Sequence, residues 1–198
     1  MSTEKISRAP AILLLALLAA AGVGGVFALW DEILTVDVFV ETGELEASLS
    51  VESMGDNEID QAIEMGEPDP TVKDVSSILC ELSEDGNTVF VTVTNAYPSI
   101  TYWCELDLTN NGTIPFKVQS INFMNDTISP VAEEFGFYDD LNLNPPDTFV
   151  VGAQIEPGQS GYDYLVIHLS NDAQENSTYT ATIEIQVVQW NEFTEPQS

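Results

Sequence analysis

Residues 99–123, SITYWCELDLTNNGTIPFKVQSINF, contain the most regular β-strand patterns of the chain. Apolar and polar residues alternate in TYWCELDL and again in PFKVQSI. A period of two is the pattern of a strand that buries one face in a core. The Asn110-Asn111-Gly112 sequence between the two halves is typical of a tight turn. We therefore predict two consecutive strands joined as a hairpin.

The same alternation recurs along the chain on both sides of this stretch. It is found in residues 33–41, 44–52, 84–95, 160–170 and 177–190. Sustained helical periodicity is missing, and only residues 59–65 have the composition for one or two helical turns. The pattern predicts seven to nine strands in an all-β fold, most economically a jelly-roll or Ig-like sandwich.

Two long, acidic, proline-containing segments interrupt the strands, residues 53–74 and 125–149. Connections of this length inside a domain usually carry a function or are mobile. Calcium prefers six to eight oxygen ligands, which carboxylates and amides on loops supply. The candidate calcium ligands are Asp56, Glu58, Asp60, Asp139 and Asp140. Neither segment has the twelve-residue calcium-loop motif, so solvated acidic loops are the alternative interpretation.

The two cysteines, Cys80 and Cys104, both lie in alternating runs. Their neighbours two residues away are apolar, which places both on strand faces that point into the core. An even number of cysteines in an exported chain is typical of a disulfide. We therefore predict a Cys80–Cys104 bridge, and two buried free thiols are the alternative.

Residues 1–28 have the pattern of a signal peptide, with a short basic head, an apolar core and small residues at Val26 and Ala28. We predict that a signal peptidase cleaves after Ala28 or one residue later, and that the protein is secreted or held at the cell surface. The apolar run over residues 9–30 is also long enough to span a membrane. A retained anchor, as in a pilin-like surface protein, is the alternative.

The chain is strongly acidic, with 33 acidic and 4 basic residues and a net charge of -29. One of the acids (Glu4) and two of the bases (Lys5 and Arg8) precede position 28, which leaves 32 acids against Lys73 and Lys117. Such a surface repels nucleic acid phosphates and attracts divalent or other cations. The composition therefore excludes nucleic acid as a partner and is compatible with a salt-adapted source.

The sequence contains no recognisable catalytic motif, and we expect that the protein is not an enzyme. The single histidine, His168, lies in an alternating strand beside Tyr164 and Val166, and we interpret it as structural. Three N-x-S/T sequences are candidate glycosylation sites on surface turns. Their asparagines are Asn111, Asn125 and Asn176.

Three blocks in order resemble the TasA and camelysin family of secreted fibre proteins, which carry SipW-type signal peptides. The blocks are residues 27–49 (FALWDEILTVDVFVETGELEASL), 108–121 (LTNNGTIPFKVQSI) and 181–192 (ATIEIQVVQWNE). Archaeal bundling pili and cannula proteins look similar in architecture. The cysteine pair and the scarcity of lysine and arginine depart from the bacterial members. The resemblance implies a jelly-roll or Ig-like sandwich and polymerisation by donor-strand exchange.

In donor-strand exchange, the N-terminal strand of one subunit completes the sheet of the next. Here the donor would be residues 29–41, with residues 42–198 as the sandwich domain. The apolar stripe of the donor consists of Leu34, Val36, Val38 and Val40. Repeated head to tail, this contact does not close and builds a filament of identical copies.

Two other interpretations remain open. The first strand could instead pair internally with residues 44–52 across Thr42-Gly43. The protein could also be a monomeric secreted module that binds calcium or glycans.

Overall fold

The computed structural model describes residues 43–66 and 74–195. The chain divides after Glu41, and the described residues belong to the unit Thr42–Ser198. The predicted signal peptide, residues 1–28, and the predicted donor strand, residues 29–41 with Leu34, Val36, Val38 and Val40, lie outside the described residues. Within the described ranges, none of the helices has the length and apolar character needed to cross a membrane.

The described residues form nine strands and one short helix, in the following order. They are β1 (Ala47–Asp56), α1 (Glu58–Glu64), β2 (Ser77–Leu82), β3 (Thr88–Ala96), β4 (Thr101–Asn110), β5 (Phe116–Met124), β6 (Ala132–Tyr138), β7 (Gln154–Ile155), β8 (Ser160–Leu169) and β9 (Ser177–Gln189).

The strands make two antiparallel sheets that pack face to face. One sheet has the order β1-β4-β8-β6, and the other has the order β2-β3-β9-β5-β7. Alternate residues of each strand point into a shared apolar core, which confirms the predicted all-β sandwich. The largest fully buried side chains include Tyr102, Leu106, Phe116, Leu165, Ile167 and Ile183.

A disulfide links the two sheets. Cys80 lies in β2 of the five-stranded sheet and Cys104 in β4 of the four-stranded sheet, with their Cα atoms 6.6 Å apart. Both residues are buried. The predicted bridge between core-facing cysteines is confirmed.

The predicted hairpin between β4 and β5 is wrong. Both strands form, but they belong to different sheets, so the chain crosses the sandwich between them. Asn110 is fully buried at this crossing. Its Nδ2 donates to the carbonyls of Ile114 and Ile155, both at 2.9 Å, and its Oδ1 accepts the Gly112 N–H at 3.0 Å. The asparagine therefore satisfies backbone groups of a buried crossing rather than those of an exposed turn.

The segment before β1 is fastened to the same crossing. The N–H groups of Asn111 and Gly112 donate to the Glu46 carbonyl at 2.9 and 3.2 Å. The Glu44 N–H donates to Thr113 Oγ1, and the Thr113 N–H donates to the Glu44 carbonyl, both at 2.8 Å. A Cβ atom on Gly112 would lie 2.7 Å from the Glu46 nitrogen, so only glycine permits this close approach.

Both long acidic segments contain regular structure. The first holds the end of β1 and α1, and α1 agrees with the predicted one or two helical turns. The prediction that residues 125–149 form a single connection is wrong, because β6 lies in their middle. Within β6, the apolar alternation consists of Phe135 and Phe137 only. Two glutamates and a glycine adjoin them, so the sequence does not show a clear strand pattern here.

Candidate functional site

One side of the sandwich ends in two strands whose outer backbone edges lack partners. Among the described residues, β6 pairs only with β8, and β7 covers only Phe116 and Lys117 of β5. Val118 exchanges backbone hydrogen bonds with Gly152 and Ala153 at 2.9 and 3.0 Å. From Gln119 to Met124, the outer edge of β5 has no backbone partner among the described residues. We call β6 and this part of β5 the open edge.

Phenylalanine side chains fill the space between the two strands of the open edge. The ring centroids of Phe123 in β5 and Phe135 in β6 are 4.9 Å apart, and those of Phe123 and Phe137 are 6.2 Å apart. Phe137 stacks on Phe149 at 4.8 Å. Phe123 is 38% exposed, so the core reaches the surface here. Unpaired strand edges beside exposed apolar side chains are a feature that favours association with another chain.

On the opposite side of the sandwich, β1 and β2 are the edge strands, and among the described residues each pairs with one strand only. There the edge strands β1 and β2 contact each other. The Cys80–Cys104 bridge ties β2 to β4 behind them. The two sides therefore differ in this disulfide and in the contact between their edge strands, and not in the number of unpaired backbone edges.

A group of three carboxylates lies where the segment that follows β6 packs against β8. Oxygen atoms of Asp139, Asp147 and Asp163 come within 4.8 Å of one another. Asp163 is fully buried on β8 and accepts the backbone N–H groups of Thr148 at 3.0 Å and Phe149 at 2.6 Å. Asp163 therefore holds the segment that carries Phe149 against β8.

Burial raises the pKa of Asp163, although the N–H groups of Phe149 and Thr148 act in the opposite direction and favour the charged form. A cleft of about 460 Å³ adjoins the group and is lined by Asp139, Asp147, Glu156 and Tyr162, among others. Two of the three carboxylates, those of Asp139 and Asp147, line the cleft, and together with Asp163 they could hold a hard cation through oxygen atoms. Because the three supply only part of a calcium shell, carbonyls and water would supply the rest.

The structure brings Asp139 into this group but leaves out Asp140, which the sequence predicts as a ligand. The exposed Asp140 carboxylate accepts the Asn142 N–H at 2.9 Å and the side-chain amides of Asn142 and Asn144 at 3.2 and 2.8 Å. These hydrogen bonds, that of the Asn142 side chain first, lower the pKa of Asp140. Asp147 and Asp163 complete the group. Asp147 belongs to the same oxygen-rich stretch of the sequence as Asp139, but neither Asp147 nor Asp163 is among the predicted ligands. For Asp163, the sequence does contain a signal: it is an acid at a core position of an alternating strand.

A second group of carboxylates joins Asp56, Glu58 and Asp74 within 4.8 Å. Burial raises the pKa of Asp56, and the charges of Glu58 and Asp74 act in the same direction. Two of the three predicted ligands in this region are therefore together, and Asp74 joins them. Asp60 is not in the group, because the helix begins at Glu58 and turns Asp60 away.

Glu58 already has a structural role. It is buried, and its Oε2 accepts the N–H groups of Val75 at 2.8 Å and Ser76 at 3.0 Å, together with the Ser76 hydroxyl at 3.0 Å. This carboxylate therefore fixes the start of β2. The group around Asp163 is the better candidate for a cation because it adjoins a cleft of about 460 Å³.

The three predicted glycosylation asparagines are all exposed. Asn111 donates from Nδ2 to Ser48 Oγ at 2.8 Å. Asn125 and Asn176 lie in turns with φ of 47° and 56°. The predicted structural histidine, His168, has its Nδ1 2.9 Å from Thr101 Oγ1, on the outer face of the four-stranded sheet.

No protein-family model, curated protein or solved structure matches this chain. The resemblance to the TasA and camelysin family therefore remains a prediction from the three sequence blocks.

Proposed function

We propose that the protein is a secreted structural subunit of an extracellular filament, and that residues 29–41 of one subunit add as a strand to the open edge of the next. The open edge carries this proposal, because two unpaired backbone edges flank the exposed ring of Phe123. An added strand gains affinity from main-chain hydrogen bonds and specificity from alternate side chains. The resemblance to secreted fibre proteins adds support.

The proposed donor matches the open edge in length and in chemistry. Residues 33–41 are long enough to pair with the six residues Gln119–Met124 or with the seven of β6, and Leu34, Val36, Val38 and Val40 alternate along them. Side chains two apart in a strand lie on one face. This aliphatic stripe would cover Phe123 and its neighbours, while the donor backbone would bond to an edge strand.

The hydrogen bonds of Glu44 argue for an exchanged strand over an internal hairpin. A two-residue turn at Thr42-Gly43 would pair Glu41 with Glu44 through both of their backbone groups. The Glu44 N–H is already donated to Thr113 Oγ1, and its carbonyl accepts from Thr113. Since a backbone N–H is a single donor, this arrangement disfavours the tight hairpin and supports a segment that leaves its own subunit.

Assembly of such acidic subunits requires cations, and we propose calcium at Asp139, Asp147 and Asp163. Without residues 1–28, each subunit keeps 32 acids against two lysines, and like charges repel at short range. The group is linked to the open edge, because Asp163 holds the Phe149 N–H and Phe149 stacks on Phe137. A bound ion would therefore order the segment from Asp147 to Phe149, whose phenylalanine ring packs against β6.

The proposal is tested by blocking the acceptor while leaving the donor intact. Phe123→Glu places a charge between β5 and β6. Phe90→Glu is the matched control, because Phe90 is 45% exposed on the outer face of β3, in the same sheet as β5 but away from the open edge. Electron microscopy of the mature protein should show filaments for the control and none for Phe123→Glu. Melting curves verify that both variants fold.

The blocked subunit still carries its donor strand. Small amounts of Phe123→Glu mixed into wild-type protein should therefore cap growing ends and shorten the filaments. Filaments of normal length from Phe123→Glu alone would contradict the proposal. So would a wild-type protein that stays monomeric at high concentration in calcium and salt.

A further inference from the structure

The outer face of the four-stranded sheet carries a cluster of aromatic side chains. Trp103 extends from β4, Tyr162 and Tyr164 from β8, and Tyr138 from β6. They alternate along their strands with buried residues, so all four point away from the core. We call these four residues the aromatic face. It shares only Tyr138, the last residue of β6, with the open edge, and it does not depend on the proposed filament.

The rings meet edge to face and are not stacked in parallel. The benzene part of the Trp103 indole covers Gly55, where a Cβ atom would lie 2.8 Å from Trp103 Cζ2. The Tyr164 ring meets Trp103 edge to face at 6.1 Å and 74°, and the Tyr162 ring meets Tyr164 at 6.3 Å and 89°. Tyr162 is 52% exposed. Rings at right angles can present ring faces to one bound group from two sides.

Two carboxylates lie beside these rings on the same face of the sheet. Glu105 is directly opposite Tyr164 in the strand register, and Asp107 is opposite Tyr162. Burial raises the pKa of Tyr164, and the charge of Glu105 acts in the same direction. Aromatic ring faces attract ammonium and guanidinium groups, and carboxylates form charge-assisted hydrogen bonds with them. The combination selects for a cation that carries N–H donors.

The cation must come from another kind of molecule. Beyond residue 28 the chain has no arginine and only two lysines. One of these, Lys117, already lies 5.1 Å from the centroid of the Phe193 ring. A second copy of this chain is therefore a poor source of positive charge. We propose that the aromatic face binds a lysine-bearing peptide segment of a different protein.

The test uses the mature protein, residues 29–198, and a hexalysine peptide in isothermal titration at about 0.15 M salt. Trp103→Ala and Tyr162→Ser remove rings without changing the net charge, and Phe90→Ala removes an exposed ring from the opposite sheet. Tyr162→Ser is the safer variant for folding, because its ring is half exposed. We expect each of the first two variants to weaken binding about fivefold, and Phe90→Ala to leave it unchanged.

Charge alone would attract hexalysine to any acidic surface. The three substitutions leave the net charge unchanged, so a loss of binding in Trp103→Ala and Tyr162→Ser reports the contribution of the rings. Equal binding by all four proteins would overturn the proposal, because the net charge would then explain the affinity. Binding of a neutral hexasaccharide such as cellohexaose that is lost in Trp103→Ala, with no ring dependence for hexalysine, would also overturn it and identify a carbohydrate face.

Discussion

Glu44 and Thr113 exchange two hydrogen bonds of 2.8 Å, one from the Glu44 N–H to Thr113 Oγ1 and one from the Thr113 N–H to the Glu44 carbonyl. This pair fastens the segment before β1 to the crossing between β4 and β5. The sandwich therefore holds the backbone at Glu44 in place. A donor strand benefits from such a fixed base, because less conformational freedom is lost when it adds to a neighbour.

The crossing itself depends on Asn110. Asn110→Leu should lower the free energy of unfolding by about 2 kcal/mol or more, because the carbonyls of Ile114 and Ile155 would be left without their donor. Urea unfolding measures the change. The adjacent Asn111→Ala is the control and should cost less than about 1 kcal/mol, because Asn111 is exposed. Equal losses in the two variants would contradict the role given to Asn110.

The disulfide should contribute to stability mainly by restricting the unfolded chain. Its cysteines are 24 residues apart, and a loop of this length corresponds to about 3 kcal/mol. The double variant Cys80→Ala/Cys104→Ala should unfold at a lower urea concentration than the wild type. Reducing the wild-type protein should give a similar decrease. An unchanged midpoint after reduction would show that the bridge does not contribute.

Asp163 should give stability a distinct pH dependence. Burial raises its pKa in the folded protein, so the folded state holds this proton to a higher pH than the unfolded chain does. Its contribution is then fully present below the ordinary aspartate pKa and is lost as the pH rises through the folded value. In chelator-containing buffer, the stability of the wild type relative to Asp163→Asn should fall as the pH rises from about 3 to 7. A relative stability that rises with pH would contradict this sign.

Calcium should stabilise the protein through the group around Asp163. A ligand that binds only the folded state raises the melting temperature. The increase seen with calcium should disappear in Asp147→Asn and persist in Asp172→Asn, which removes the same charge from an exposed position outside the group. An increase retained in Asp147→Asn would show that the carboxylates of this group are only solvated.

The strands of the sandwich were largely predictable, because binary alternation depends on local sequence. Core positions such as Val91, Leu106 and Ile183 follow directly from it. The partner of each strand did not follow, since Asn110-Asn111-Gly112 is compatible with a hairpin and with a buried crossing. Contacts with Glu44 and Glu46, more than 60 residues away in the chain, decide between the two.

The candidate cation site was predicted only in part for the same reason. Asp139 and Asp147 lie in one local stretch that is rich in acids and amides, whereas Asp163 on β8 joins them through the fold. Asp140 looked equivalent in the sequence, but its local hydrogen bonds to Asn142 and Asn144 engage its carboxylate. The aromatic face also needed the sheet register, which brings Trp103 beside Tyr164.

The central claim is tested most directly by the melting temperature of residues 42–198 with and without a peptide of residues 31–41. The account predicts that the truncated domain folds, stays monomeric and melts at a higher temperature when the peptide is added. A Val36→Asp peptide should have no effect, because an unpaired carboxylate on the buried stripe is costly, and Asp37→Asn, on the other face, should retain the effect. A truncated domain that is unfolded or aggregated would contradict the account, because residues 29–41 would then belong to their own subunit's sheet.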